Sequence, residues 1–202
     1  MGGFRKGVVF VLALVIVAAL ARQYIEQLAR SRAVARLLLP FRISALIARP
    51  PETKIDIPIH NLRSRQIADT WHAFRSGGRA HEGQDLFAPR GTPVYSATNG
   101  IVWRIGQAGI GGNAVSVLGA SGRVYYYAHL SRFAEGLRKG DEVTPETVIG
   151  YVGNTGNART TPPHLHFGVY NAGGAINPLP LLAERPAVSA HAAHRSGQGR
   201  AR

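Results

Sequence analysis

From about residue 54 to residue 181 the chain is a succession of short β-like runs broken by Gly, Pro and Asn. The runs cover residues 93–97, 100–105, 113–118, 123–130, 148–152 and 164–170. Asn99-Gly100 and Ser121-Gly122 supply turn signals between them. Short, regularly spaced strands with little helical periodicity predict a mainly β fold: a small antiparallel sandwich or open barrel. No internal repeat is present in the sequence.

The flanking segments differ in kind. Arg5 and Lys6 precede an apolar run over residues 7–21, and Arg22 ends it. As a helix, fifteen residues reach about 22 Å, short of a hydrocarbon core of roughly 30 Å. That length suits a signal peptide, and Ala19-Leu20-Ala21 has the form of a cleavage site. Continuation of the helix through Tyr24, Ile25 and Leu28 would make it an uncleaved anchor instead. Residues 1–21 are thus expected to be a signal peptide or membrane anchor. Either one exports the rest, either periplasmic or anchored at the inner membrane. Residues 22–50 alternate Arg with apolar side chains and predict a basic amphipathic helix interrupted by Pro40. Pro50-Pro51 ends it, which places the folded domain at residues 51–182. Residues 183–202, rich in Ala, His, Arg, Ser and Gly, are expected to be a disordered basic tail.

The net charge of +13 invites a nucleic-acid reading, and its distribution argues against one. Residues 1–49 carry +7, residues 50–184 carry +2 and residues 185–202 carry +4. A nucleic-acid domain shows its basic face on the folded body. Basic ends beside an apolar segment suit an anionic membrane surface. The absence of cysteine excludes disulfides, a thiol nucleophile and thiolate zinc sites. Oligomeric state has no signature in the sequence.

Three short segments carry the chemistry: His81-Glu82-Gly83-Gln84-Asp85, Tyr127-Ala128-His129-Leu130 and His164-Leu165-His166-Phe167. Histidine and carboxylate are the usual ligands of catalytic zinc, and further histidines beside such a site move protons near neutral pH. Gly83 and the nearby Pro89 disfavour a helix between His81 and Asp85. In a straight strand their Cα atoms would stand about 13 Å apart, too far to share one metal. A shared metal therefore requires a bend, and Gly83 permits it. His164 and His166, two apart in a strand, share one face while Leu165 and Phe167 pack on the other. One of the two can ligate while the other faces substrate. His129, at the end of the 123–130 run, can reach the same cavity. His60, His72, His191 and His194 lack such a context.

From about Asp69 to Leu182 the chain resembles the lysostaphin/LytM family of zinc peptidoglycan endopeptidases. The resemblance rests on Arg75, the run from His81 to Val94, Asn113, Tyr127-Ala128-His129-Leu130, the run from Gly150 to Gly156, Pro163-His164-Leu165-His166-Phe167 and Asn177-Pro178. It implies one zinc per domain, bound by His81, Asp85 and His166, with His129 and His164 as the catalytic histidines. It implies hydrolysis of peptide cross-links or stem-peptide bonds in peptidoglycan, through a metal-activated water. Which histidine is the general base stays open. Arg75 and Asn113 are candidate substrate contacts, Arg75 because a guanidinium suits a carboxylate. The chain departs from the family pattern at Trp71-His72, Pro162 and Gly168, none of them among the five site residues. The alternatives are a silent relative that regulates cell-wall hydrolases and a tethered glycan-binding protein. Retention of all five site residues weighs against the first, and the second predicts binding to the cell wall without cleavage products.

Overall fold

The computed structural model of the chain describes residues 15–24, 26, 32–75 and 77–185. The beginning of the expected export segment and the expected tail beyond Arg185 lie outside the described residues. The chain divides into two units, Met1–Ala45 and Leu46–Arg202.

In the first unit, residues 15–24 are helical, and a second helix, α1, begins at Arg32 and runs to Ile47. No described helix is long and apolar enough to cross a membrane. α1 passes through Pro40 without a break, contrary to the expected interruption. Proline removes one backbone hydrogen bond, and the surrounding Leu, Ala and Arg residues are good helix formers that sustain the turn on either side. Leu37 and Phe41 remain 74% exposed.

The second unit is built of short strands, as the punctuated pattern predicts. In chain order they are β1 (Ile55–Asp56), β2 (Phe74–Arg75), β3 (Arg79–Ala80), β4 (Gln84–Phe87), β5 (Pro93–Tyr95), β6 (Gly100–Gln107) and β7 (Asn113–Leu118). There follow β8 (Val124–Leu130), β9 (Arg132–Phe133), β10 (Glu142–Val143), β11 (Val148–Tyr151), β12 (His164–Asn171), β13 (Gly174–Ile176) and β14 (Leu182–Ala183). The main sheet is antiparallel in the order β10-β6-β7-β8-β12-β13, and β4 pairs with the first half of β12. A second antiparallel sheet has the order β5-β11-β9. The sheet does not close into a barrel.

Alternation along the strands sorts core from cleft. Leu165, Phe167 and Val169 of β12 join Tyr125 and Tyr127 of β8, Val115 and Val117 of β7, and Val94 and Ile149 of the second sheet in one buried cluster. His164 and His166 lie on the other face of β12, toward the cleft. Tyr127 links core to connection, accepting a hydrogen bond from the Ala97 N–H at 2.8 Å.

The folded chain reaches further than the boundary expected at residue 182. β14 pairs in parallel with β1 through Ala183. Arg185 then donates to the carbonyls of Ile57 and Ser96, both at 2.9 Å, and to that of Pro145. A parallel pair of two-residue strands has no periodicity, so nothing in the pattern announces it.

Candidate active site

Strand register brings the first two site residues together. Asp85 of β4 stands directly opposite His166 of β12, and His164 stands opposite Phe87 on the same strand pair. His81 lies just upstream, and the chain bends at Gly83. A Cβ at Gly83 would stand 2.5 Å from His166 Cε1 and 2.9 Å from the Phe167 carbonyl oxygen. The glycine therefore serves close approach to the His166 ring as well as the bend.

The three donors converge. His81 Nε2 lies 2.8 Å from His166 Nδ1 and 3.1 Å from Asp85 Oδ1. His166 Nδ1 lies 3.3 Å from the same oxygen. One donor atom from each residue falls within 4.8 Å of the others. Two imidazoles and a carboxylate at this spacing fit a divalent cation of the zinc type. Neighbouring groups fix their directions. His81 Nδ1 donates to the Thr70 carbonyl at 2.6 Å, which leaves the Nε2 lone pair toward the other donors. Thr70 also accepts the Asp85 N–H through its hydroxyl at 2.9 Å. Burial opposes ionisation of Asp85, but the neighbouring His166, His81 and Arg75 outweigh it and hold the carboxyl well below its usual range.

Two more imidazoles stand beside this group. His164 Nδ1 donates to the Pro162 carbonyl at 2.9 Å, and His129 Nδ1 donates to the Thr155 carbonyl at 2.9 Å. A carbonyl only accepts, so both rings carry a proton on Nδ1, and in the neutral form of each ring the lone pair is on Nε2. Their ring centroids are 5.0 Å apart. Burial, followed by the neighbouring His164 and His166, lowers the His129 pKa to about 4.

His129 reaches the cleft through a break in its strand. Tyr125 and Tyr127 point to the core, so strict alternation would send residue 129 there too. Instead His129 has φ of 62°, the β7–β8 register shifts between Asn113 and Val115, and Leu130 takes the core position. This is a β-bulge, which re-aims a side chain. The loop that carries Thr155 seats it. Gly156, at φ of 69°, packs so closely that a Cβ would meet the Ile110 carbonyl oxygen at 2.3 Å.

His81, Asp85, His129, His164, His166 and Arg75 all line one cleft of about 500 Å³. Arg75 does not present a free guanidinium there: it is hydrogen-bonded to Asp85 Oδ2. Asn113 is not among the cleft-lining residues. Its side chain donates to the carbonyls of Leu130 at 3.1 Å and Ser131 at 3.4 Å, bracing the chain after the bulge. Thr70, Thr155, Tyr126 and Tyr170 complete the arrangement without having been singled out in the sequence. Tyr170 was reachable, since period two from His164 and His166 puts it on their face. The carbonyls of Thr70 and Thr155 leave no signature in residue type.

Residues 79–178 match peptidase family M23. The L-Ala--D-Glu endopeptidase of Bacillus subtilis is 39% identical over 124 residues, 56% of this chain and 38% of the relative. The DD-carboxypeptidase/endopeptidase Mpg of Neisseria meningitidis is 39% identical over 139 residues, 68% of this chain and 29% of the relative. The chain therefore spans well under half the length of these curated relatives. The catalytic domain of the antimicrobial peptidase lysostaphin from Staphylococcus simulans superimposes with a TM-score of 0.51 at 29% identity, over 58% of this chain and 92% of that one. A zinc containing peptidase from Vibrio cholerae does so with a TM-score of 0.53 at 28% identity, over 68% and 41%.

Proposed function

We propose, for a chain that belongs to peptidase family M23 through residues 79–178, a zinc-dependent endopeptidase that hydrolyses peptide cross-links or stem-peptide bonds of bacterial peptidoglycan. The observation that carries this reading is the juxtaposition of two sets of groups in one cleft. Three donors converge within 4.8 Å, and two Nδ1-anchored imidazoles stand beside them. Relatives named as endopeptidases, one of them for an L-Ala–D-Glu bond, support the substrate class.

His81, Asp85 and His166 are the residues that would hold the ion. Zinc at that position would supply a Lewis acid for the scissile carbonyl and for water. The chain's own residues do the rest. Arg75 and Thr70 keep the carboxylate and the His81 ring in place. His129 is neutral through the neutral pH range, so its Nε2 can accept a proton from the attacking water, and the proton gained there can then pass to the leaving amine. His164 presents the same atom on a ring whose centroid is 5.0 Å away, and either ring can serve as this base. Persistence of all five residues together disfavours the silent-relative alternative.

On the same reading, the peptidase domain begins at about residue 51 and continues through Arg185, and it acts in the cell envelope. The N-terminal segment serves as export signal or anchor, with its basic helix against an anionic membrane surface. The test is to incubate the full chain with purified peptidoglycan and follow the products by mass spectrometry. Zinc-loaded protein is expected to release products with new peptide termini and intact glycan linkages. Products cleaved only between sugars, or no dependence on metal, would refute the proposal.

A further inference from the structure

The hairpin of β2 and β3 forms one wall of the cleft, and its register sets Arg75 directly opposite Arg79. Like charges facing each other across an antiparallel pair repel and weaken it. Asp85 neutralises Arg75. Among the described residues no ion pair does so for Arg79, which is exposed and lines the same cleft. Glu82, the other acid of this wall, is exposed and is not paired with it. The turn between the two arginines passes through Gly77 and Gly78 at φ of 78° and 73°. A Cβ at either would meet nothing within 4 Å, so the hairpin tip projects into open space.

We propose that Arg79 is the subsite for a carboxylate of the substrate peptide, held close to the scissile bond. Cross-strand Cβ atoms stand roughly 5 Å apart, and the Arg75 guanidinium already rests on Asp85, one of the metal donors. A second arginine starting from the opposite strand reaches a group one to three residues from the reacting carbonyl, at about 3.5 Å of extended chain per residue. The wall carries Arg75, Arg79, Glu82 and Asp85, so its charges balance. Selection is therefore a short-range match between the guanidinium fork and a carboxylate, not a long-range field. This rests on the endopeptidase reading and narrows its substrate: an acidic stem peptide is preferred over an all-glycine cross-bridge, which offers no side-chain carboxylate.

The test uses two synthetic stem peptides that differ only in a carboxylate or a carboxamide at that residue. Binding to the full chain is measured by calorimetry after chelator treatment, and kcat/KM is measured on the zinc-loaded protein. Wild type is expected to favour the carboxylate by about fivefold or more, the scale of an exposed but bidentate pair. The ratio should fall below about twofold in Arg79→Gln and be partly kept in Arg79→Lys, which retains charge without the fork. Equal binding of the two peptides by wild type, an unchanged ratio in Arg79→Gln, or binding of neither peptide overturns the subsite. A clear binding preference without any cleavage upholds the subsite and overturns the endopeptidase reading.

Discussion

His129 shows what a single residue contributes here. Of the non-glycine residues lining the cleft it alone has positive φ, and that conformation costs an L-residue roughly 1–2 kcal/mol. The cost is accepted because the bulge turns the ring from the core into the cleft. Both His129→Gly and His129→Ala remove the imidazole, and only glycine also removes the strain. The glycine variant is expected to be more stable than the alanine variant by about 0.5–1 kcal/mol, as read from urea midpoints. Equal stability, or a more stable alanine variant, would mean that the backbone at 129 is unstrained. The identity of this residue as part of a site was legible from its Tyr-Ala-His-Leu context. Its route into the site was not, because period two points it to the core and only the three-dimensional register reveals the bulge. Arg75 was legible as a residue of the cleft, while its hydrogen bond to Asp85 was not.

At the scale of elements, β12 carries most of the arrangement. One face supplies His164 and His166, the other Leu165, Phe167 and Val169 to the core. This was legible, as were β6, β7, β8 and β11, because they are long enough to display a β pattern, whereas the four residues of β4 were not read as a strand. The two-residue strands β1, β2, β3, β9, β10 and β14 display none, and they include the hairpin that presents Arg75 and Arg79. Pro40 in α1 was misread for the opposite reason, a strong local signal overridden by good helix formers on both sides. The tie between β8 and the connection that follows β5 gives a direct test. Tyr127→Phe keeps the buried ring and leaves the Ala97 N–H without its acceptor. A loss of about 1–3 kcal/mol is expected in denaturant unfolding. A loss within error of zero would remove Tyr127 from the list of groups holding the two sheets together.

For the whole molecule, the buried titratable groups set the response to acid. The His129 pKa is lowered from 6.5 to about 4 by burial and by His164 and His166. Between those values the unfolded chain binds the proton and the fold does not, so stability falls as pH drops through that window. Asp85, held below its unfolded value of 3.8, stabilises the fold above that pH and adds a further loss below it. Metal-free protein should therefore lose stability progressively from about pH 6.5 to about pH 4, and His129→Asn should flatten that decline. A decline of the same slope in His129→Asn would show that other groups govern it.

The chain's charge map agrees with this picture, since the excess lies in the two ends and leaves residues 50–184 at +2. The central claim is a division of labour inside the cleft, with His81, Asp85 and His166 holding a metal while His129 and His164 move protons. Zinc content measured on His129→Ala, beside its turnover of peptidoglycan, tests that division most directly. The expected result is about one zinc per chain and no detectable hydrolysis, with His81→Ala losing both. A His129→Ala protein that loses its metal, or one that still cleaves, would contradict it.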